Sequence, residues 1–136
     1  MGRKLGTLTA AQLQIMRLVW NAGRAGICVA EIWAAIAAQR PIARTTVLTF
    51  VQRLEQAGWV KRLEDTSPAR YVATRSETAV TAQIAAEFVQ EFFGGSATNL
   101  MMSLLGSRDL ESDDIERLRQ ALEEAARDRD KKGRRR

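Results

Sequence analysis

Between Thr45 and Arg62 runs the stretch TTVLTFVQRLEQAGWVKR. Val47, Phe50, Val51 and Leu54 fall at the i, i+3, i+4, i+7 spacing of a helix that buries one side. The other side shows Thr45, Thr46, Thr49, Gln52 and Arg53, with no acid before Glu55. Exposed helix positions are ordinarily filled with Glu, Lys, Ala or Gln, and threonine is only a middling helix former. Short hydroxyls allow close approach to a hydrogen-bonding surface, and a guanidinium can fork onto a guanine edge. Taken alone, the stripe fits a merely solvated face about as well.

Other chemistries have little to work with. Histidine is absent and Cys28 is the one cysteine, so Ser-His, Cys-His and His-metal sites are excluded within the chain, as is an intrachain disulfide. Neither GxGxxG nor GxxxxGK[ST] occurs. Asp113, Asp114 and Glu116 cluster, but at a predicted helix start, where acids complement the helix dipole without any catalytic role. No catalytic residue, metal site or cofactor is expected. The opening MGRKLGTLTAAQ is too polar for a signal peptide, and no apolar run approaches the roughly 18 residues of a membrane span. A cytoplasmic protein without membrane insertion is expected.

The charge is segregated. Residues 1–75 hold 11 Lys/Arg and 4 Asp/Glu, net +7; residues 76–126 hold 3 and 10, net −7; residues 127–136 hold 7 and 2, net +5. A basic front before an acidic middle points to a polyanion partner for the front alone.

The elements that must position the threonine face follow from periodicity. Thr9 and Gln12 form a capping box at the start of LTAAQLQIMRLVWNAG, and Gly23 stops that helix. VAEIWAAIAAQR reads as a second helix, with Ile32, Trp33 and Ile36 as its apolar side, and Pro41 breaks the chain after it. The third helix spans about 43–57 and ends at Gly58. Two strands follow, roughly 59–64 and 69–74, joined by a turn at Asp65, Thr66, Ser67 and Pro68. Three helices and a hairpin make a winged helix-turn-helix, whose third helix enters the major groove of DNA. Thr45, Thr46, Thr49 and Arg53 would then face DNA, and Arg70 would hold a phosphate from the wing.

Beyond Ser76 the chain is all helical. One helix runs to Phe93 with Val80, Ile84, Phe88 and Phe92 along one side, and Gly94 and Gly95 end it. A short apolar helix covers 96–105, and a last one carries Ile115, Leu118, Leu122 and Ala125 near a 3.5-residue period. Helices this short cannot enclose a core of their own, so a two-fold dimer is the simplest way to cover Ile84, Phe88, Phe92, Leu100, Leu104, Ile115, Leu118 and Leu122. Packing back onto the winged helix in a monomer is the alternative. The fold class expected is therefore mainly α: a winged-helix DNA-binding domain over 1–75, a helical dimerisation domain over 76–126, and a basic, disordered tail over 127–136.

The order LTAAQLQIMRLVW, TTVLTFVQRLEQAGWV, YVA, FFGGSATNLMMSLL, DLESDDIERLRQALEE resembles the penicillinase-repressor family, the BlaI/MecI group, over about residues 7–125. The most specific pieces are TTV-x-T-x-x-x-RL-x-x-x-G and the FFGGS run before an acidic last helix. The resemblance implies a dimeric transcriptional repressor on an inverted-repeat operator, with C-terminal helices that interlock two chains. It also implies relief of repression when a membrane sensor-protease signals antibiotic exposure and the repressor is cut; the matching bond here is Ser103–Leu104. Relatives with a characterised cut tend to carry Asn and an aromatic at that bond. Other departures are Ala43, where members often have a better N-cap, Arg44, where Pro can occur and which would be a phosphate contact peculiar to this chain, and Glu111, where Ser is common. The cysteine pairs of a copper-responsive branch are missing. Two other function classes remain beside the repressor: a winged-helix protein-interaction module, which the +7 front disfavours, and a ligand-released regulator unrelated to antibiotics.

Overall fold

The computed structural model describes residues 8–134. Its elements, in order, are α1 (Ala10–Ala22), a single 3-10 turn (Gly23–Ala25), β1 (Ile27–Cys28), α2 (Val29–Ala37), α3 (Arg44–Gln56), β2 (Val60–Arg62), β3 (Arg70–Ala73), α4 (Glu77–Phe92), α5 (Ala97–Ser107) and α6 (Ser112–Arg134). Mainly helical structure with a small antiparallel sheet is the architecture of a winged helix. The chain divides into two compact units, residues 1–85 and 86–136.

In the first unit α1 starts at the expected capping box. The Thr9 amide donates to Gln12 Oε1 at 3.0 Å, and the Gln12 amide donates to Thr9 Oγ1 at 3.2 Å. Ile15, Met16 and Val19 of α1 meet Ile32 and Ile36 of α2 and Val47, Val51 and Leu54 of α3, all at most 2% exposed. Trp59, Val60 and Tyr71 close this core from the sheet. Burial of each such aliphatic side chain contributes about 1.5–3 kcal/mol. The stripe of α3 is thus the inner wall of the recognition unit.

The sheet has the order β1-β3-β2, and both pairings are antiparallel. The hairpin of β2 and β3 lies within the two expected stretches. β1 is the addition. Its two residues pair Ile27 with Tyr71 and Cys28 with Arg70, and so brief a strand leaves no alternation to read. Gly26 permits the pairing. Its φ is +75°, and a Cβ there would lie 3.0 Å from Tyr71 O and 3.1 Å from Leu63 Cδ1.

Two boundaries differ from the sequence expectation. The first unit ends after Ala85 instead of Arg75, because Val80 is buried in its core and Ile84 packs against that core. Ile84, expected on the dimer seam, is thereby half-buried against the winged helix. The stretch from 127, expected to be disordered, continues α6 to Arg134. Asp128 and Asp130 interrupt its positive charge, Glu123 and Glu124 stand four and three residues before Arg127, and no Gly or Pro occurs until Gly133. Arg135 and Arg136 lie outside the described residues, as do residues 1–7.

In the second unit Gly94 and Gly95, with φ of +57° and +85°, turn the chain after α4. Ser96 caps α5 by accepting from the Asn99 amide at 3.1 Å. Phe88 stacks at 4.9 Å from Phe92 and 5.8 Å from Phe93. On α6, Arg119 bridges Glu116 and Glu123 along the charged side of the helix.

Candidate nucleic-acid interface

With Val47, Val51 and Leu54 turned inward, 3.6 residues per turn puts Thr45, Thr49, Gln52 and Gln56 in one outward line. Arg53 and Thr46 flank it on one side and Leu48 on the other. All of these residues are exposed, Leu48 at 39%. The Thr49 hydroxyl donates to Thr45 O at 2.9 Å, which turns its methyl and its lone pairs into a fixed presentation. Gln52, Gln56 and Leu48 belong to this surface by the same spacing that identified the threonines, although the sequence reading did not set them among the contact residues.

The N-terminus of α3 is built differently from that of α1. Ala43 is the cap residue and its side chain accepts nothing; the Thr46 amide donates to Ala43 O at 3.1 Å, which leaves the amides of Arg44 and Thr45 open. Arg44 follows, and its guanidinium lies 4.9 Å over the ring of Trp33. Trp33 in turn donates through Nε1 to Ile42 O at 2.8 Å, fixing the turn between α2 and α3. A cation and open N–H groups therefore share one end of the helix, an arrangement suited to a phosphate.

Arg70, expected to hold a phosphate from the wing, is engaged through part of its guanidinium inside the winged helix. Its Nε donates to Ala25 O at 3.1 Å, its Nη2 donates to Gly26 O at 2.9 Å, and Nη2 lies 3.0 Å from Glu31 Oε1. The pairing of Cys28 with Arg70 brings these groups together, and it is this two-residue strand that the sequence did not disclose. Glu31 also accepts from the Cys28 thiol at 3.1 Å and from the Cys28 amide at 3.3 Å. Those two bonds, with the adjacent Arg70, hold its carboxyl below the ordinary value of 4.5. Arg70 is thus a clamp between β3, the 3-10 turn and α2. The exposed cation of the wing on the core side of the sheet is Arg62. Its Nη2 donates to the Tyr71 hydroxyl at 3.1 Å, which raises its pKa, and its guanidinium lies 5.6 Å from that ring.

The expected dimer residues of the second unit divide by exposure. Phe88, Phe92, Ile115 and Leu122 are exposed, Leu122 at 68%, while Leu100, Leu104 and Leu118 are half-buried. Met102 and Leu105 add exposed apolar surface on α5. Ser103 is exposed, and its bond to Leu104 lies inside α5.

The family model of the penicillinase repressor matches residues 8–124. The chain belongs to the penicillinase repressor family. It is 23% identical over 122 residues to the penicillinase repressor of Staphylococcus aureus, covering 90% of this chain and 95% of that one. The chain is also similar to solved structures of MarR from E. coli. One is of the oxidized form (TM-score 0.49, 21% identity, covering 88% of this chain and 76% of that one). Another is of a mutant complexed with operator DNA (TM-score 0.46, 20% identity, covering 87% and 75%). A MarR family protein from Bacillus stearothermophilus is similar at a TM-score of 0.45 and 17% identity, covering 90% and 76%. The penicillinase repressor family is one of DNA-binding transcriptional repressors, which are not enzymes. Among the described residues, no helix is long and apolar enough to cross a membrane.

Proposed function

We propose that this repressor binds a double-stranded DNA operator with α3 in the major groove. Thr45, Thr46, Thr49, Gln52 and Arg53 read base edges, and Leu48 packs on a thymine methyl. Arg44 and the open amides of the first turn of α3 take one phosphate, and Arg62 takes another from the wing. The observation that carries this reading is the outward face of α3: exposed donors and one guanidinium, no acid, on a helix whose other side is locked in the core.

The functional unit is a homodimer on an inverted repeat. Exposed Phe92, Met102, Ile115 and Leu122 are the support for it, since such side chains are ordinarily covered by a partner. The −7 charge of residues 76–126 keeps that region away from phosphates. Two copies imply half-sites about 34–36 Å apart, or a multiple of that spacing. Release follows a cut at Ser103–Leu104 by a membrane sensor-protease answering a cell-wall antibiotic. The support is that α5 holds no fully buried residue and lies between two glycines and Arg108 in a left-handed conformation, so it opens more cheaply than longer helices.

The experiment is to retain genomic DNA fragments on the purified protein, sequence them, and measure anisotropy on the enriched site at two salt concentrations. An enriched pseudo-palindrome whose affinity falls steeply with salt is expected. Equal binding to every fragment, or none, overturns the reading in favour of a protein-interaction module.

A further inference from the structure

A groove of about 600 Å³ opens beside the wing, at the end of α1 and the base of the hairpin. Its volume is that of a small-molecule site, roughly 300–1,000 Å³. Half-buried Trp20, Leu63 and Val72 give it an apolar wall. Three exposed cations, Arg24, Lys61 and Arg75, share the lining, and no described carboxylate does. The register of the hairpin explains the mixture. Lys61 pairs with Val72, so both point to one side of the sheet, while their neighbours Val60 and Tyr71 point into the core on the other.

The cations are not there to neutralise acids. The side chains of Arg24 and Lys61 make no hydrogen bond or ion pair among the described residues. Arg75 uses Nη1 on Gln83 Oε1 at 3.0 Å, one of its five N–H donors. Nor is this the base-reading surface: no residue of α3 and none of the turn 64–69 lines the groove. Like charges gathered around apolar surface are relieved by a ligand that carries both an anion and an apolar body.

We propose that this groove binds a small organic anion, with an aliphatic or aromatic body on Trp20, Leu63 and Val72 and a carboxylate or phosphate head on Arg24 and Lys61. Since both strands of the hairpin contribute to the lining, such a ligand would bear on the hairpin without competing for α3. The proposal does not rest on the operator reading, and its test uses no operator.

The test is titration of the full-length, ¹⁵N-labelled chain with sodium hexanoate and, separately, with 1-hexanol. Trp20 holds its Nε1–H on Arg75 O at 2.9 Å, so its indole resonance, assigned with Trp20→Phe, reports from inside the groove. Saturable hexanoate shifts confined to that indole and to the amides around Arg24, Lys61 and Val72 are expected, with hexanol about tenfold weaker or more. Arg24→Glu with Lys61→Glu should weaken hexanoate by about tenfold or more and leave hexanol unchanged. Both positions are exposed, and an unchanged thermal melt confirms that the variant folds. Equal affinity for acid and alcohol, shifts scattered over α4–α6, or no saturable shift each overturn the proposal. So does a short random DNA duplex that moves the same resonances more strongly than hexanoate, which assigns the cations to a nucleic-acid backbone.

Discussion

The guanidinium of Arg44 rests 4.9 Å over the ring of Trp33, and the same indole holds Ile42 O through Nε1 at 2.8 Å. One side chain of α2 therefore sets both the entry of α3 and the direction of its first cation. Arg44→Ala should weaken binding to all DNA sequences alike and reduce the log–log salt slope by about 0.9. Trp33→Leu should show the same sequence-independent loss, and the double variant should lose little more than either single one. Trp33→Phe separates the two roles, since it keeps a ring for Arg44 and deletes the bond to Ile42. Anisotropy across a salt series measures all four proteins. Fully additive losses would show that Trp33 does not act through Arg44.

Arg53 and Gln52 should behave differently from Arg44. Loss of a bidentate base contact costs about 1–3 kcal/mol and relaxes discrimination at one base pair. Arg53→Ala and Gln52→Ala should therefore weaken the enriched site while leaving random DNA nearly untouched. Competition binding against single-base variants of the site is the measurement, and uniform losses on every sequence would make both residues phosphate contacts.

The Arg70 clamp is a stability feature. Removing Arg70 deletes hydrogen bonds to Ala25 and Gly26 and leaves Glu31 without its cation, so the folded state should be less stable. Chemical denaturation of Arg70→Ala should show that shift in ΔG, and any loss of operator affinity should be no larger than the lost folded fraction predicts.

Glu31 adds a pH dependence to the same clamp. Its folded pKa is depressed, so its contribution is present above the unfolded value of 4.5 and disappears as pH falls through the lower folded value. The melting temperature of the native chain should therefore exceed that of Glu31→Gln at pH 7, and the gap should close as the pH is taken below 4.5. A gap that persists unchanged in strong acid would mean that the carboxylate charge is not what the clamp uses.

Dimerisation and release can be separated experimentally. Phe92→Glu with Leu122→Glu places charge at two exposed apolar positions, so the monomer should still fold. Sedimentation should show a single chain, and operator affinity should drop by about 100-fold as the second half-site loses its effective concentration. For release, mass spectrometry of the protein from cells before and after a cell-wall antibiotic should reveal a break after Ser103. Intact chains with target genes switched on would exclude proteolysis.

The legible parts of the fold were those with a period or a signature. Thr9 with Gln12, the stripe Val47–Val51–Leu54 and the glycines at 94 and 95 each gave local information enough to fix an element, and the winged helix followed from their order. The clamp made by Arg70 was not legible because its partners lie 39 to 45 residues away, across a strand too short to announce itself. The contact of Ile84 with the core was hidden for a related reason. A helical stripe says which residues share a side but not what that side meets, and the first turns of α4 meet the winged-helix core. Trp33 carried no signal as a support for Arg44, since an aromatic on an apolar helix side is ordinarily core.

Ala43 puts local folding at odds with recognition. A serine or aspartate there would satisfy the amides at the head of α3 and stabilise the free protein by about 1 kcal/mol. It would also occupy the donors that a phosphate needs, and aspartate would add repulsion. The more stable variant would then be the weaker repressor. Selection for function alone would keep that helix head frustrated until DNA arrives, and optimising this chain for heat resistance at position 43 would erode the activity it was meant to protect.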